Sequence, residues 1–270
     1  MNFSVLISSY IKDNPDELTI ALKSIWDDQT VKPSEIVIVK DGPLSPELDA
    51  VIENFTQHAP VKIVPLEKNQ GLGMALAAGV EHCSYDYIAR MDGDDISLPD
   101  RFAKQIAYME QHPETAICGG MIQEFSGSPE NITGKRVLPL DNNTILQFIK
   151  TRNPFNHMSV FFKKQAICDA GNYQHIIGYE DYWLWARVLA NGNMGANLPD
   201  ILVNVRAGKN MLARRRGWNL FKAEIDLAKK LHSVNLLSHL GMLRNMLLKG
   251  SIRLMPLFLL SLIYSYLREK

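Results

Sequence analysis

Cysteine is scarce. Only Cys83, Cys118 and Cys168 occur in 270 residues, far apart, with no Cys-x-x-Cys spacing and no nearby histidine pair. That excludes a disulfide framework and a structural zinc site, and a reducing cytoplasm is the expected setting. Glycine is missing from the first 41 positions, so neither a Gly-x-Gly-x-x-Gly dinucleotide loop nor a P-loop follows the first apolar run. No apolar run reaches the roughly 20 residues of a membrane-spanning helix. The last one, 254–267, has 14 residues and contains Pro256, so it is expected to be interfacial or packed. The start, MNFSVLISSY, lacks the basic segment and small-residue cleavage site of a secretory signal. Net charge is absent too, with 29 Lys and Arg against 29 Asp and Glu, and no composition bias points to disorder or repeats.

That balance conceals an asymmetry. Residues 1–205 carry 16 basic and 26 acidic side chains, whereas 206–270 carry 13 basic and 3 acidic. The basic residues of the tail lie among Leu, Met and Phe and match no nucleic-acid motif, so an anionic membrane surface is the expected partner and nucleic acid is not. The chain is accordingly expected to divide into an α/β domain over 1–213 and a basic, amphipathic helical extension over 214–270.

Within the first part, four β-branched or apolar runs (Phe3–Ser8, Ile36–Val39, Val61–Leu66 and Tyr87–Met91) alternate with helical patterns. Asp16–Gln29 puts Leu18, Leu22, Ile25 and Trp26 on one face, and Gly71–Cys83 offers Leu72, Leu76 and Val80. This alternation predicts a mostly parallel, Rossmann-like sheet flanked by helices. A helix is predicted after Pro99, ended by His112-Pro113, another near Thr144–Lys150, and another opening at Glu180-Asp181. A strand is predicted at Met158–Phe162, and the Gly, Ser, Pro and Asn of Phe125–Gly134 read as a surface loop. From Arg214 onward the pattern is helical.

In an open parallel sheet, ligands bind beyond the carboxyl ends of the strands. Here those ends are polar: Ser8, Ser9 and Tyr10 after the first, Asp41-Gly42 after the second, Asn69-Gln70-Gly71 after the third, and Asp92-Gly93-Asp94-Asp95 after the fourth. Three carboxylates within four residues repel one another, and Mg²⁺ or Mn²⁺ would compensate them while leaving positions for phosphate oxygens. A solvated acidic turn is the plainer alternative. Gly71-Leu72-Gly73 opens a helix without completing a phosphate fingerprint, and close helix-on-sheet packing explains it equally well.

In this order the residues resemble family 2 glycosyltransferases of the GT-A fold. The resemblance is carried by Phe3–Tyr10, Ile36–Gly42, Asn69–Gly73 with Ala75 and Gly79, Asp92–Asp95, and Glu180-Asp181. It implies that Ser8, Ser9 and Tyr10 line a nucleoside pocket, that Asp41 holds the base or nearby nucleoside, and that Asn69 and Gly71 belong to the same wall. It further implies that Asp92 lies by the ribose and the metal and that Asp94 coordinates Mn²⁺ or Mg²⁺. Glu180 or Asp181, with Asp181 preferred, would be the base that accepts the acceptor hydroxyl's proton. Many relatives carry an acidic pair where this chain has Lys40-Asp41.

The segment Asn153–Ser159 resembles one that borders a substrate sugar, which makes His157 either a sugar contact or a core histidine. Tyr182, Trp183 and Trp185 form an aromatic wall for sugar faces or for packing. Arg206 and Arg214–Arg216 are read as exposed charge, with approach to a diphosphate as the alternative. The implied function is inverting transfer of one sugar from a nucleotide-diphosphate donor, UDP-linked, to a saccharide or lipid-linked acceptor of lipopolysaccharide, capsule or exopolysaccharide. It would take place on the inner face of the cell membrane, with peripheral contact through the C-terminal helices. A sugar-phosphate nucleotidyltransferase and a non-enzymatic membrane module are the alternatives.

Overall fold

A computed structural model describes residues 1–207 and 217–255. Its first half follows the expected alternation: β1 (Ser4–Ser9), α1 (Pro15–Ile25), β2 (Glu35–Lys40), α2 (Pro46–Thr56), β3 (Val61–Pro65), α3 (Leu72–His82) and β4 (Tyr87–Met91). The four strands lie in the order β3-β2-β1-β4, all parallel. Ile36-Val37-Ile38-Val39 is buried throughout, as expected of a parallel strand covered on both faces. α1 begins where Asn14 accepts from the amides of Asp16 and Glu17 and Pro15 occupies the first turn, two complementary start signals.

The second half is mixed. It comprises β5 (Ile96–Ser97), α4 (Arg101–Gln111), β6 (Thr115–Ser126), β7 (Ser128–Arg136), α5 (Asn142–Phe148), a 3₁₀ turn at His157–Ser159, β8 (Phe161–Lys163), α6 (Lys164–Asp169), α7 (Glu180–Ala190) and β9 (Met194–Arg206). The sheet continues β4-β8-β6-β9-β5, with β8 antiparallel to both neighbours and β9 parallel to β6. Two helices, α8 (Trp218–Ser233) and α9 (His239–Leu254), follow. Alternation along β1 splits the core: Val5 and Ile7 face α1, α2 and α4, while Leu6 faces α3 and α7. α8 joins the second layer through Leu227 and Leu231. Thus α8 shares the core of the sheet domain. The expected boundary at 213/214, Arg214–Arg216 and most of the apolar run 254–267 lie outside the described residues.

The segment Phe125–Gly134 is not a loop. It completes β6 and forms β7, turning at Gly127 with φ 73°. β7 is largely exposed, so its polar composition reflects solvent around the strand while its backbone pairs along β6. The strand predicted from Met158 starts at Phe161, because Asn156–Ser159 first closes a 3₁₀ turn.

α3 lies close to the sheet at Gly79, where a Cβ would fall 2.3 Å from Leu6 Cδ1 and 2.9 Å from Val39 Cγ2. Gly79→Ala is therefore expected to cost about 1–3 kcal/mol, net of Ala's better helix propensity. The check is a urea midpoint, and an unchanged midpoint would mean that α3 rises from the sheet without penalty.

Candidate active site

The parallel strands deliver their carboxyl ends to one edge. After β4, the carboxylates of Asp92, Asp94 and Asp95 bring oxygens within 4.8 Å of one another. Each is held differently. Asp92 pairs with Arg90, buried beneath it on β4. Asp95 is buried and its Oδ1 accepts from the Arg206 amide at 2.9 Å, whereas Asp94 faces outward. Desolvation, followed by the Asp92 charge, pushes the Asp94 carboxyl up to about 6 and holds Asp95 well above the usual range. Burial is the larger cause in both, and repulsion among like charges adds to it. Hard oxygen donors with one outward-facing carboxylate fit a divalent ion such as Mg²⁺ or Mn²⁺.

Arg206 is not simply an exposed charge. At the end of β9 its guanidinium pairs with Glu17 at 3.0 Å, donates to the Asp94 carbonyl at 3.3 Å and lies over the Phe125 ring at 4.8 Å. It thereby clips the acidic turn to α1 and to the β6–β7 hairpin.

On the adjoining side, the Ser9 carbonyl accepts from the Asp41 amide at 2.8 Å, joining the ends of β1 and β2. Asp41 is buried, and its carboxylate accepts from the Gln70 amide at 2.7 Å, the Gly71 amide at 3.0 Å and Asn69 Nδ2 at 3.0 Å. It therefore fixes the turn that starts α3. Gly42 lets the two turns meet: its φ is 86° and a Cβ would lie 2.6 Å from the Asn69 nitrogen. Ser8 is half-buried, Ser9 buried and Tyr10 exposed. Beside them Asp13 accepts from the Tyr10 amide at 3.0 Å. Burial raises the Asp13 carboxyl, and Asp92 and Glu17 add to that effect.

The second acidic group starts α7. Asp181 accepts from its neighbour's amide, that of Tyr182, at 2.7 Å and from Asn153 Nδ2 at 2.5 Å. Burial raises its carboxyl, while these two donors and the charges of Arg136 and Arg90 oppose the rise. Glu180 is pushed up to about 7 by burial and then by Asp181. It lines a cleft of about 210 Å³ with Gly71, Gly73, His175 and Ile177. Gly73 is small for a reason other than sheet packing: its Cβ would meet Glu180 Cβ at 3.1 Å.

His157 is half-buried, with Nε2 2.9 Å from the Tyr173 hydroxyl and its ring against Trp185. Burial, then the Arg90 charge, holds it well below the usual histidine range, so it is neutral at pH 7. Tyr182, Trp183 and Trp185 are buried, which settles the aromatic wall as packing.

Arg90 unites the two acidic groups, since its charge lowers the carboxyls of Asp94, Asp95, Glu180 and Asp181 alike. Sequence reasoning missed Asp13, Glu17, Arg90 and the partnership of Asn153 with Asp181. Arg90 had a signal, because an arginine two residues before Asp92 on a strand points to the same face. The others depend on long-range pairing.

The sequence pattern described as Glycosyl transferase family 2 matches residues 4–175. Amylovoran biosynthesis glycosyltransferase AmsE of Erwinia amylovora is 47% identical over 265 residues, covering 97% of either chain. An Escherichia coli protein, UDP-Gal:alpha-D-GlcNAc-diphosphoundecaprenol beta-1,3-galactosyltransferase, is 37% identical over 94% of this chain and 92% of its own. In three dimensions, Staphylococcus aureus TarS 1–349 in complex with UDP-GlcNAc aligns with a TM-score of 0.67 at 16% identity, over 91% of this chain and 70% of that one. A Pyrobaculum calidifontis mannosyltransferase in complex with GDP-Man and Mn²⁺ aligns with a TM-score of 0.63 at 14% identity, over 100% of this chain and 81% of that one. The fold is thus the GT-A fold.

Proposed function

The chain belongs to glycosyl transferase family 2, and from that premise we propose that it moves one hexose from a UDP-linked donor to a lipid-linked saccharide, with inversion at the anomeric carbon. The observation that carries this is the three-carboxylate turn after β4 together with the Glu180-Asp181 pair at the start of α7, one suited to a cation and one to a proton. The galactosyltransferase relative, similar along nearly its whole length and named for a UDP donor and a diphosphate-linked lipid acceptor, supports the choice of substrates.

In the proposed reaction, Asp181 takes the proton of the acceptor hydroxyl as its oxygen attacks the anomeric carbon. The bond from that carbon to the β-phosphate oxygen breaks, and its electron pair leaves with UDP. Attack from the face opposite UDP inverts the centre. Asp94 and Asp92 would hold the divalent ion, which when bound neutralises charge on the departing diphosphate. Ser8, Ser9 and Tyr10, with Asp41 and the Asn69–Gly71 turn it fixes, would line the nucleoside pocket. Asp92 would also face the ribose. His157, neutral and bonded to Tyr173, would border the sugar without taking a proton.

Incubation of the protein with UDP-galactose, Mn²⁺ and a synthetic α-linked GlcNAc-diphosphoryl lipid tests this. The expected result is UDP release with a β-linked product, read from the anomeric proton coupling. An α-linked product would overturn inversion. No release from this donor, UDP-glucose or UDP-GlcNAc would overturn the substrate class.

Peripheral contact with the inner membrane face belongs to the same proposal. No helix among the described residues is long and apolar enough to cross a membrane. α9 nevertheless exposes Leu240, Leu243, Leu247 and Leu254, with Leu240 78% and Leu247 71% accessible, on a tail rich in Lys and Arg. Such a helix binds anionic lipid through apolar contact and charge. Co-sedimentation with anionic vesicles is expected to fall with added salt and to be largely lost in Leu243→Asp/Leu247→Asp. Binding unaffected by that double change would remove α9 from the contact.

A further inference from the structure

The polar contacts of the α8–α9 pair converge on the two chain segments that meet at Asp181. Glu224 on α8 is only 3% exposed. A carboxylate so buried persists only when its charge and hydrogen bonds are matched. Here the hydroxyl of Tyr179, the residue immediately before α7, donates to Glu224 Oε2. Arg253 on α9 donates to Glu224 Oε2 through Nε at 3.1 Å and to the Tyr179 hydroxyl through Nη2 at 2.7 Å. Lys249 pairs with Glu224 Oε1 at 3.5 Å. Tyr179 occupies the N-cap position of α7 yet makes no capping bond with its side chain. Its phenol is committed to the C-terminal pair.

The second grip is on the turn opposite. Asn245 on α9, 4% exposed, donates to the Lys150 carbonyl at 2.8 Å. Tyr182 on α7 donates to the neighbouring Ile149 carbonyl at 2.5 Å. This turn leads directly to Asn153, the side-chain donor to Asp181. The C-terminal helices therefore tie down both the start of the helix that carries Asp181 and the segment that carries its hydrogen-bond donor.

We propose that the α8–α9 pair positions the Asp181 carboxylate, with Glu224 and Asn245 as its positioning residues. This rests on Asp181 being the base. A misplacement of the order of 1 Å at a reacting group costs about a hundredfold in rate, so two grips on one carboxylate have a direct catalytic consequence. Hydrophobic packing of Leu227 and Leu231 attaches the pair to α7; the polar contacts supply orientation.

The test measures kcat, acceptor KM and the pH dependence of kcat for the full-length chain with UDP-galactose, Mn²⁺ and the GlcNAc-diphosphoryl lipid, alongside UDP affinity by calorimetry. Glu224→Gln is expected to lower kcat tenfold or more with UDP affinity within twofold of the parent, and Glu224→Asp is expected to recover part of the loss. Asn245→Ala removes one neutral hydrogen bond and serves as the decisive variant if Glu224→Gln does not fold. It is expected to lower kcat severalfold. It should also move the acid limb of kcat upward by half a pH unit or more, because the loosened Asn153 no longer stabilises the ionised carboxylate. The other groups facing Asp181, which are Glu180, Tyr182, Tyr173, Arg90 and Arg136, are unaltered by Asn245→Ala, whereas Glu224→Gln also removes a charge that acts on Tyr182. A merely structural role lowers the active fraction without moving the limb.

Parental kcat and an unmoved limb in Asn245→Ala, with Asp181→Asn inactive, would overturn the positioning role alone. Full activity in Asp181→Asn would overturn the base and the positioning role together.

Discussion

Asp181→Asn is expected to lower turnover by about 10²- to 10⁴-fold, the usual contribution of general-base catalysis, while UDP affinity stays within twofold of the parent. The substitution keeps the shape and the bond from the Tyr182 amide at 2.7 Å, but an amide cannot take the acceptor's proton. Asp181 lies at the start of α7, apart from the acidic turn after β4, so nucleotide binding has no reason to change. Glu180→Gln is the contrasting variant; if it alone abolished transfer while Asp181→Asn remained active, the base would be Glu180. The pH profile is a second check. Burial raises the Asp181 carboxyl above the ordinary aspartate value of 3.8, and a base works only when ionised. Turnover should accordingly rise with pH through a limb above 3.8, and that limb should vanish with the carboxylate.

Asp94→Asn, or removal of divalent metal with EDTA, is expected to weaken UDP binding by tenfold or more and to reduce transfer by a further large factor. Asp94 is the outward-facing carboxylate of the three-carboxylate turn, so it is the oxygen donor most available to an ion that also touches phosphate. Asp92 and Asp95 have other commitments, to Arg90 and to the Arg206 amide. The sign with pH follows. Burial and the Asp92 charge push the Asp94 carboxyl up to about 6, so protons compete with a cation as pH falls through that value. Metal-dependent UDP affinity should therefore be full above pH 7 and decline below about 6. Calorimetric titrations at pH 5.5 and 7.5 check it, and equal affinity at both would remove Asp94 from the metal site.

How far the sequence discloses this depends on where the information is local. The pattern from Phe3 to Met91 writes most of the parallel half of the sheet directly, because β1, β2 and β4 are largely buried apolar runs and α1 and α3 each show an apolar face. The acidic turn and Glu180-Asp181 are contiguous and therefore visible. The second half is less legible for physical reasons. β9 runs parallel to β6 with register shifts, and its pattern is broken by Asn197, Pro199 and Asp200. β7 is an edge strand whose exposed side chains read as a loop. In the first half α2 is the least legible element, because its buried Leu48, Ile52 and Phe55 lie among polar residues even though Ser45 caps it. Asp41 separates finding a residue from knowing what it does. Its place at a strand end is readable, but the three donors that bind its carboxylate come from a turn 28 to 30 residues away. Arg206 and Glu224 are equally opaque, since a charge in a basic or helical segment looks solvated until the fold supplies its partners.

On this reading a nucleotide diphosphate binds at the acidic edge through a divalent ion. Calorimetric titration of UDP into the full-length protein with Mn²⁺, with EDTA, and again in Asp94→Asn tests it most directly. The expected result is saturable binding with Mn²⁺ that is lost in EDTA and weakened at least tenfold in the variant. UDP binding of equal strength in all three conditions, or none in any of them, would contradict it.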